Sequence, residues 1–353
     1  METIYDTFKK HGYSRRDFLK FAATISAYLG IPSSSYSAVV ERLQSRPKPV
    51  VVWLEFQDCS GCSESFIRSS DILPSHLLVD LIDVEYHELL MAGAGEAAES
   101  HKDETIQKYR CDYILVVEGS VPSPNNAAYC TIGGRSSYEI LEEAAKYASV
   151  IMSVGSCSSW GGLPKADPNP THALSILEAL PHMKEKIVHI PGCPPLADVM
   201  VSVIMEYLIK GRVPPLDDQR RPLSFFSQTI HDTCYRRPFY NTDQFAKSFD
   251  DEGAREGHCL YELGCKGPIT RNACSTLRWN GGLSFPIQSG HPCFGCSEPD
   301  FWDQAHIYEP VSAPVKTPDA KEYTFAAATG VLLGAAVAAA AKLGSKKEED
   351  GHV

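Results

Sequence analysis

The spacing of its cysteines constrains this chain more than any other feature of the sequence. The 353 residues include 12 cysteines, and ten of them fall into three groups with the spacing of metal or cluster ligands. Two CxxC pairs, Cys59 with Cys62 and Cys293 with Cys296, begin and end the series. Thiolates are soft ligands that select zinc, copper(I) or iron–sulfur clusters. The cysteines therefore favour a protein that moves electrons.

Disulfides are the alternative use for an even number of cysteines in an exported chain. A chain of this length, with 43% apolar and 22% charged residues, can bury a core without covalent cross-links. Several cysteines also stand in glycine- and proline-rich turns, such as residues 155–157 and 191–195. In such turns the backbone can approach a cluster and donate N–H groups to its sulfurs. We favour clusters and keep an exported, disulfide-linked binding protein as the alternative.

Short β-rich runs alternate with helical stretches over residues 46–219. The predicted strands are 50–56, 113–118, 150–154 and 187–190, and the predicted helices include 137–147 and 198–210. This alternation predicts an α/β fold with a flavodoxin-like, doubly wound parallel sheet. Cys59 and Cys62 follow the first predicted strand. Cys157 and Cys193 follow the third and fourth, so all four thiols are expected at the carboxyl ends of strands, where open α/β sheets bind ligands.

Residues 220–309 lose this periodicity and are rich in glycine, proline, cysteine and aromatic residues. That composition predicts an irregular domain organised around bound metal. His231 and Cys234 form an HxxC pair, whose spacing favours ligation by the imidazole over a histidine on the surface. Cys111 and Cys130 lie outside the three groups and are expected to be buried free thiols.

The first 45 residues are predicted to be a signal peptide and leader. The string SRRDFLK at residues 14–20, followed by an apolar stretch, matches a twin-arginine export signal. That route carries proteins already folded around their cofactors. An ordinary amphipathic helix is the alternative for this segment.

The C-terminal end predicts a membrane anchor. Residues 310–322 are proline-containing and are interpreted as a linker, residues 323–343 as a transmembrane helix, and residues 344–353 as a cytoplasmic tail. The high alanine content of the span leaves a soluble helix as the alternative. Lysines beyond the span would keep the tail in the cytoplasm, which places the body on the periplasmic side of the inner membrane.

Five strings together carry a specific family resemblance. They are Cys59-Ser60-Gly61-Cys62-Ser63-Glu64-Ser65, Gly155-Ser156-Cys157, Pro191-Gly192-Cys193-Pro194-Pro195, Gly264-Cys265-Lys266-Gly267-Pro268 and Gly290-His291-Pro292-Cys293-Phe294-Gly295-Cys296-Ser297-Glu298. With these strings, residues 48–305 resemble the small subunit of a membrane-bound [NiFe] uptake hydrogenase.

The resemblance implies three iron–sulfur clusters. A proximal [4Fe-4S] cluster would be held by Cys59, Cys62, Cys157 and Cys193. A distal [4Fe-4S] cluster would be held by His231, Cys234, Cys259 and Cys265. A medial cluster would be held by Cys274, Cys293 and Cys296. In the family a proline can stand in place of a fourth cysteine, and Pro286 stands there in this chain, so the medial cluster is expected to be [3Fe-4S].

The resemblance also implies the partners. The nickel–iron centre that splits H2 would lie in a large subunit, so no catalytic residue is expected in this chain. Electrons would pass from the proximal to the medial and distal clusters, and then to a membrane cytochrome b or quinone-reactive subunit. A net charge of −11 argues against a nucleic-acid partner. The cluster subunit of a respiratory quinone oxidoreductase is the related alternative, but it lacks the second cysteine-rich half.

Three positions depart from other members of that family. Oxygen-tolerant members carry two further cysteines where this chain has Gly61 and Gly162, so the resemblance implies a conventional proximal cluster and an oxygen-sensitive enzyme. Asp58 stands where glutamate is common. We interpret Asp58 and Glu64 as hydrogen-bonding groups of the cluster loop.

Overall fold

The computed structural model describes residues 3–70, 72–303 and 307–311. Within these residues the chain forms two compact units. The first contains residues up to 48 together with residues 205–211, and the second contains residues 49–204 and the described residues from 212 onward.

Three helices form most of the first unit. They are Ile4–Lys10, Arg15–Tyr28 and Tyr36–Ser45. Ser14 caps the second helix, because its hydroxyl accepts the backbone N–H of Asp17 while the Asp17 carboxylate accepts the N–H of Ser14. This helix buries Phe18 and Ile25. The segment predicted to be an export leader therefore has an amphipathic helical structure, and its role in export stays a prediction.

A parallel sheet of five strands organises the second unit. The strands are β1 Val50–Glu55, β2 Asp83–His87, β3 Tyr113–Glu118, β4 Val150–Val154 and β5 Ile187–Ile190. Their order is β2-β1-β3-β4-β5, and every neighbouring pair is parallel. This is the strand order of flavodoxin-like sheets. The predicted α/β class and parallel sheet are confirmed.

Strand β2 was missing from the predicted set, so Cys157 and Cys193 follow the fourth and fifth strands rather than the third and fourth. β2 lies at the edge of the sheet. Its first three residues are only half-buried, whereas all six residues of β1 are buried. An edge strand with polar residues on its open side gives a weak hydrophobic signal.

Helices connect the strands, and two further pairs of short antiparallel strands lie outside the main sheet. The α-helices after the first unit's three are Gly61–Phe66, Pro74–His76, Gly95–Lys108, Ser137–Tyr147, Gly155–Trp160, Gly162–Lys165, Ile176–Ala179, Ala197–Lys210, Leu223–Phe226, Arg237–Asn241 and Glu252–Glu256. The short strands are Val121–Pro122 with Ala173–Leu174 and Thr131–Ile132 with Arg135–Ser136. Helix Ser137–Tyr147 buries Ile140 and Leu141 in the core beside Leu54 and Leu115 of the sheet.

The described residues after 211 form only short helices, turns and isolated bridges, as the composition predicted. Thr229 pairs with Arg271, and Phe245 pairs with Cys259. The predicted linker, transmembrane helix and tail lie outside the described residues. Among the helices that the structure does describe, none has the length and apolar character needed to cross a bilayer.

Candidate metal centre

Four of the predicted ligands meet at the carboxyl edge of the parallel sheet. Cys62 lies in the helix after β1, Cys157 lies in the helix that begins directly after β4, and Cys193 follows β5. Burial raises the pKa of Cys62 well above that of an ordinary thiol, and the charges of Glu118, Cys157, Cys193 and Cys59 raise it further. The four thiols therefore surround one site.

Two glycines leave room for a bound group beside these thiols. A Cβ atom on Gly155 would lie 2.5 Å from Cys62 Sγ, and one on Gly162 would lie 2.6 Å from Cys157 Sγ. Both glycines have positive φ values, +84° and +55°, which larger residues adopt at a cost. The backbone thus comes as close to the sulfurs as the absence of a side chain allows, which suits a cradle for an inorganic cluster.

The carboxylate of Glu118 accepts hydrogen bonds from the CxxC loop that contains Cys62. It accepts the backbone N–H groups of Cys62 at 2.9 Å and Ser63 at 3.0 Å, and the Ser63 hydroxyl at 2.6 Å. The indole N–H of Trp53 adds a fourth donor at 3.3 Å. Sequence reasoning missed this residue. The available signal was an acid at the end of β3, beside the point where the strand order reverses between β1 and β3.

Two more acids lie beside Glu118. Oxygen atoms of Glu55, Asp58 and Glu118 come within 4.8 Å of one another. Burial and the charge of Glu118 raise the pKa of Asp58 to about 7, although its carboxylate accepts the N–H of Ser60. The interpretation of Asp58 as a hydrogen-bonding group of the loop agrees with this contact. Glu64 instead pairs with Arg68 at 2.8 Å on the surface.

Replacing Glu55 by glutamine is expected to flatten the pH dependence of stability. Burial, with the charges of Glu118 and Asp58, raises the pKa of Glu55 to about 7, whereas an unfolded glutamate titrates near 4.3. The folded state therefore binds the proton more tightly, and its stability falls as the pH rises from about 5 to 7. Glutamine removes that contribution. Thermal midpoints of the purified complex at several pH values would test this, and equal slopes for both proteins would contradict it.

A second group of thiols lies in the irregular region. Burial raises the pKa of Cys259 to about 12, and the charges of Cys265 and Cys234 contribute. A Cβ atom on Gly267 would lie 3.3 Å from Cys265 Sγ and 3.7 Å from the backbone nitrogen of His231. The structure therefore brings the three thiols of the predicted distal set together, with the His231 backbone beside Cys265.

The His231 side chain is buried, so the alternative of a surface histidine is wrong. Its Nε2 atom is buried and has no hydrogen-bond partner among the described residues. Burial and the nearby charge of Arg237 lower the pKa of His231 to about 4, so the ring is neutral at pH 7. A neutral imidazole with an unpaired buried nitrogen is in the form that binds a metal.

The third group consists of Cys274, Cys293 and Cys296. Burial is the main cause that raises the pKa of Cys293, and the charges of Cys265, Cys296 and Cys274 add to it. Pro286, which the resemblance predicts to stand in the place of a fourth cysteine, is exposed, and its carbonyl accepts the N–H of His291.

Hydrogen bonds connect the three groups in series. The Ser156 hydroxyl accepts the backbone N–H of Gly192, next to Cys193, and donates to the carbonyl of Cys296. The backbone N–H of Cys293 donates to Cys265 Sγ at 3.4 Å. The third group therefore lies between the other two.

All twelve cysteines lie within the described residues, and all are free thiols. This argues against the disulfide-linked alternative. The expectation that Cys111 is buried was wrong, because it is exposed in a turn with φ of +61°. Cys130 is half-buried.

Residues 226–309 match the C-terminal family of the NiFe/NiFeSe hydrogenase small subunit, and residues 59–207 match the family of the NADH ubiquinone oxidoreductase 20 Kd subunit. The uptake hydrogenase small subunit of Azotobacter vinelandii is 44% identical over 342 residues, which cover 96% of this chain and 94% of that one. The chain belongs to the uptake [NiFe] hydrogenase small subunits.

Other relatives of this small subunit support the same family membership. The uptake hydrogenase small subunit of Cupriavidus necator is 44% identical over 355 residues, covering 99% of this chain and 98% of that one. The structure of the reduced, active Ni-Fe-Se hydrogenase from Desulfomicrobium baculatum matches with a TM-score of 0.70 at 34% identity, covering 75% of this chain and all of that chain. The chain is thus the electron-transfer subunit of a hydrogenase, and the hydrogenase match at residues 226–309 removes the quinone oxidoreductase alternative.

Proposed function

We propose that this protein carries electrons from H2 oxidation at a nickel–iron centre of the large subunit to a membrane cytochrome b or quinone-reactive subunit. They pass through a proximal [4Fe-4S], a medial [3Fe-4S] and a distal [4Fe-4S] cluster. The observation that carries this proposal is the serial connection of the three thiol groups. Ser156 bridges the loops of Cys193 and Cys296, and the Cys293 N–H donates to Cys265 Sγ. Sites in contact in this order suit stepwise transfer of single electrons.

The chemistry of the donor atoms supports the proposed ligands. Half-buried thiols with raised pKa values, such as Cys157 at about 11 and Cys234 at about 11, stay protonated until a metal displaces the proton. The glycine cradle at the proximal site and the unpaired nitrogen of His231 fit bound clusters in the same way. The proximal ligands Cys59 and Cys193 are exposed on this chain, which supports the binding of a large subunit over that end. A histidine in place of one thiolate would raise the potential of the distal cluster.

The proximal cluster is proposed to be of the conventional type. Gly61 and Gly162 lie beside ligand sulfurs, with their Cβ positions 3.2 Å from Cys59 Sγ and 2.6 Å from Cys157 Sγ. Thiols at these two positions could reach the cluster, and this chain has none there. We accordingly expect the enzyme to be sensitive to oxygen.

The protein is also proposed to be exported by the twin-arginine route and anchored in the lipid bilayer of the inner membrane through residues 323–343, facing the periplasm. Arg15 and Arg16 are exposed at the start of their helix, so an export receptor could reach both guanidinium groups. The uncharged C-terminal stretch supports the anchor.

Chemical analysis of the anaerobically purified complex tests the proposed function. Two four-iron clusters and one three-iron cluster predict about eleven iron atoms on this chain, with matching acid-labile sulfide. After removal of metal under denaturing conditions, all twelve cysteines should react as free thiols. Reduction of a dye by H2 should require the large subunit. Iron without sulfide, or fewer than the expected thiols, would refute the cluster assignment.

A further inference from the structure

Ser156 connects three loops that carry ligands. It stands between Gly155 and Cys157 and is only 1% exposed. Its hydroxyl oxygen accepts the backbone N–H of Gly192 at 3.1 Å, and its own N–H donates to the Gly192 carbonyl at 2.9 Å. The same hydroxyl donates to the carbonyl of Cys296. One buried side chain thus joins the Cys157 helix, the loop of Cys193 and the loop of Cys296.

The contact between the last two loops is the boundary between two proposed clusters. Cys193 would bind the proximal cluster and Cys296 the medial one. At the other end of the same helix, the indole N–H of Trp160 donates to the Ser297 carbonyl at 3.1 Å. Hydrogen bonds from both ends of helix Gly155–Trp160 therefore hold the loop that contains Cys296 and Ser297.

We propose that Ser156 is a positioning residue that sets the distance between the proximal and medial clusters. This inference rests on the proposed ligand assignment. The rate of electron tunnelling falls exponentially with distance, so a small displacement of the Cys296 loop changes the rate. By holding the Cys296 loop against the loop of Gly192, the Ser156 hydroxyl fixes the distance between the two clusters.

The test compares three variants in the complete complex. Ser156→Ala removes the hydroxyl, and Ser156→Thr keeps it. Ser158→Ala is the matched control, since Ser158 is equally buried in the same helix, but its hydroxyl pairs with Ser153 at 2.8 Å. Iron and sulfide content, the electron paramagnetic resonance signal of the oxidised medial cluster and its midpoint potential are measured for each. Freeze-quench samples after mixing with H2 then give the rate at which that signal disappears.

In Ser156→Ala we expect the rate of medial cluster reduction to fall by about threefold or more. The rate of H2/D2O isotope exchange, which does not need the electron relay, should stay at the wild-type value. Ser158→Ala should match the wild type, and Ser156→Thr should recover most of the difference. A wild-type rate of medial cluster reduction in Ser156→Ala, with all clusters present, would overturn the inference and leave the proposed function intact. If Ser156→Ala loses a cluster, Ser156→Thr decides, because failure to restore that cluster would also overturn it. A wild type without clusters would refute the assignment itself.

Discussion

Gly155→Ala is expected to remove the proximal cluster and to abolish reduction of dyes by H2. The new Cβ atom would lie 2.5 Å from Cys62 Sγ, well inside van der Waals contact, so either the ligand or the loop must move. The loop has little freedom, because the next residue, Ser156, is bonded to Gly192 and Cys296. Iron content should fall by about four atoms per complex.

Gly134→Ala separates this overlap from the cost of an unusual backbone. Gly134 has φ of +80°, close to the +84° of Gly155, but a Cβ atom there would meet nothing within 4 Å. Alanine at such an angle costs about 1–2 kcal/mol in either position. The control should lose some thermal stability and keep all its iron and activity. Full iron content in Gly155→Ala, or equal iron loss in both variants, would show that the glycine cradle does not matter.

The sheet could be predicted because its central strands are buried on both faces. β1 and β3 are buried at every position and appear in the sequence as continuous apolar runs. β2 was missed because its first three residues are only half-buried, so fewer of its positions need apolar residues. In the first unit the sequence pattern allowed two interpretations of the same segment. An amphipathic helix that buries Phe18 and Ile25 and an apolar targeting segment have similar compositions, so the sequence pattern does not distinguish them.

The grouping of the cysteines could be predicted from the sequence because ligand chemistry restricts both residue type and local spacing. The residues that form hydrogen bonds to the cysteine loops could not be predicted, since any acid or hydroxyl can form a hydrogen bond and the partner is distant in sequence. Glu118 bonds to Cys62 across 56 residues, and Ser156 bonds to Cys296 across 140. The same limit applies to His231, whose burial depends on packing against residues such as Tyr240, with ring centres 4.6 Å apart.

Glu118→Gln is expected to weaken the proximal site strongly while leaving its thiols in place. The carboxylate accepts two backbone N–H groups, a hydroxyl and an indole N–H, and it has no donor of its own. Glutamine replaces one acceptor oxygen with an NH2 group, so a buried N–H of the CxxC loop faces another donor. A lost charge-assisted hydrogen bond of this kind costs about 2 kcal/mol.

Iron release to a chelator measures this cost in the intact complex. A loss of about 2 kcal/mol corresponds to roughly thirtyfold more of the open loop and to a similar increase in the rate of release. Glu64→Gln is the matched control, because it makes the same chemical change on the helix that carries Cys62, where the exposed carboxylate of Glu64 pairs with Arg68. Surface ion pairs contribute little, so its release rate should stay near that of the wild type. If both variants release iron at equal rates, the buried carboxylate does not hold the loop. If only Glu118→Gln is fast, the stability of the proximal site depends on an acid 56 residues from the cysteine that it supports.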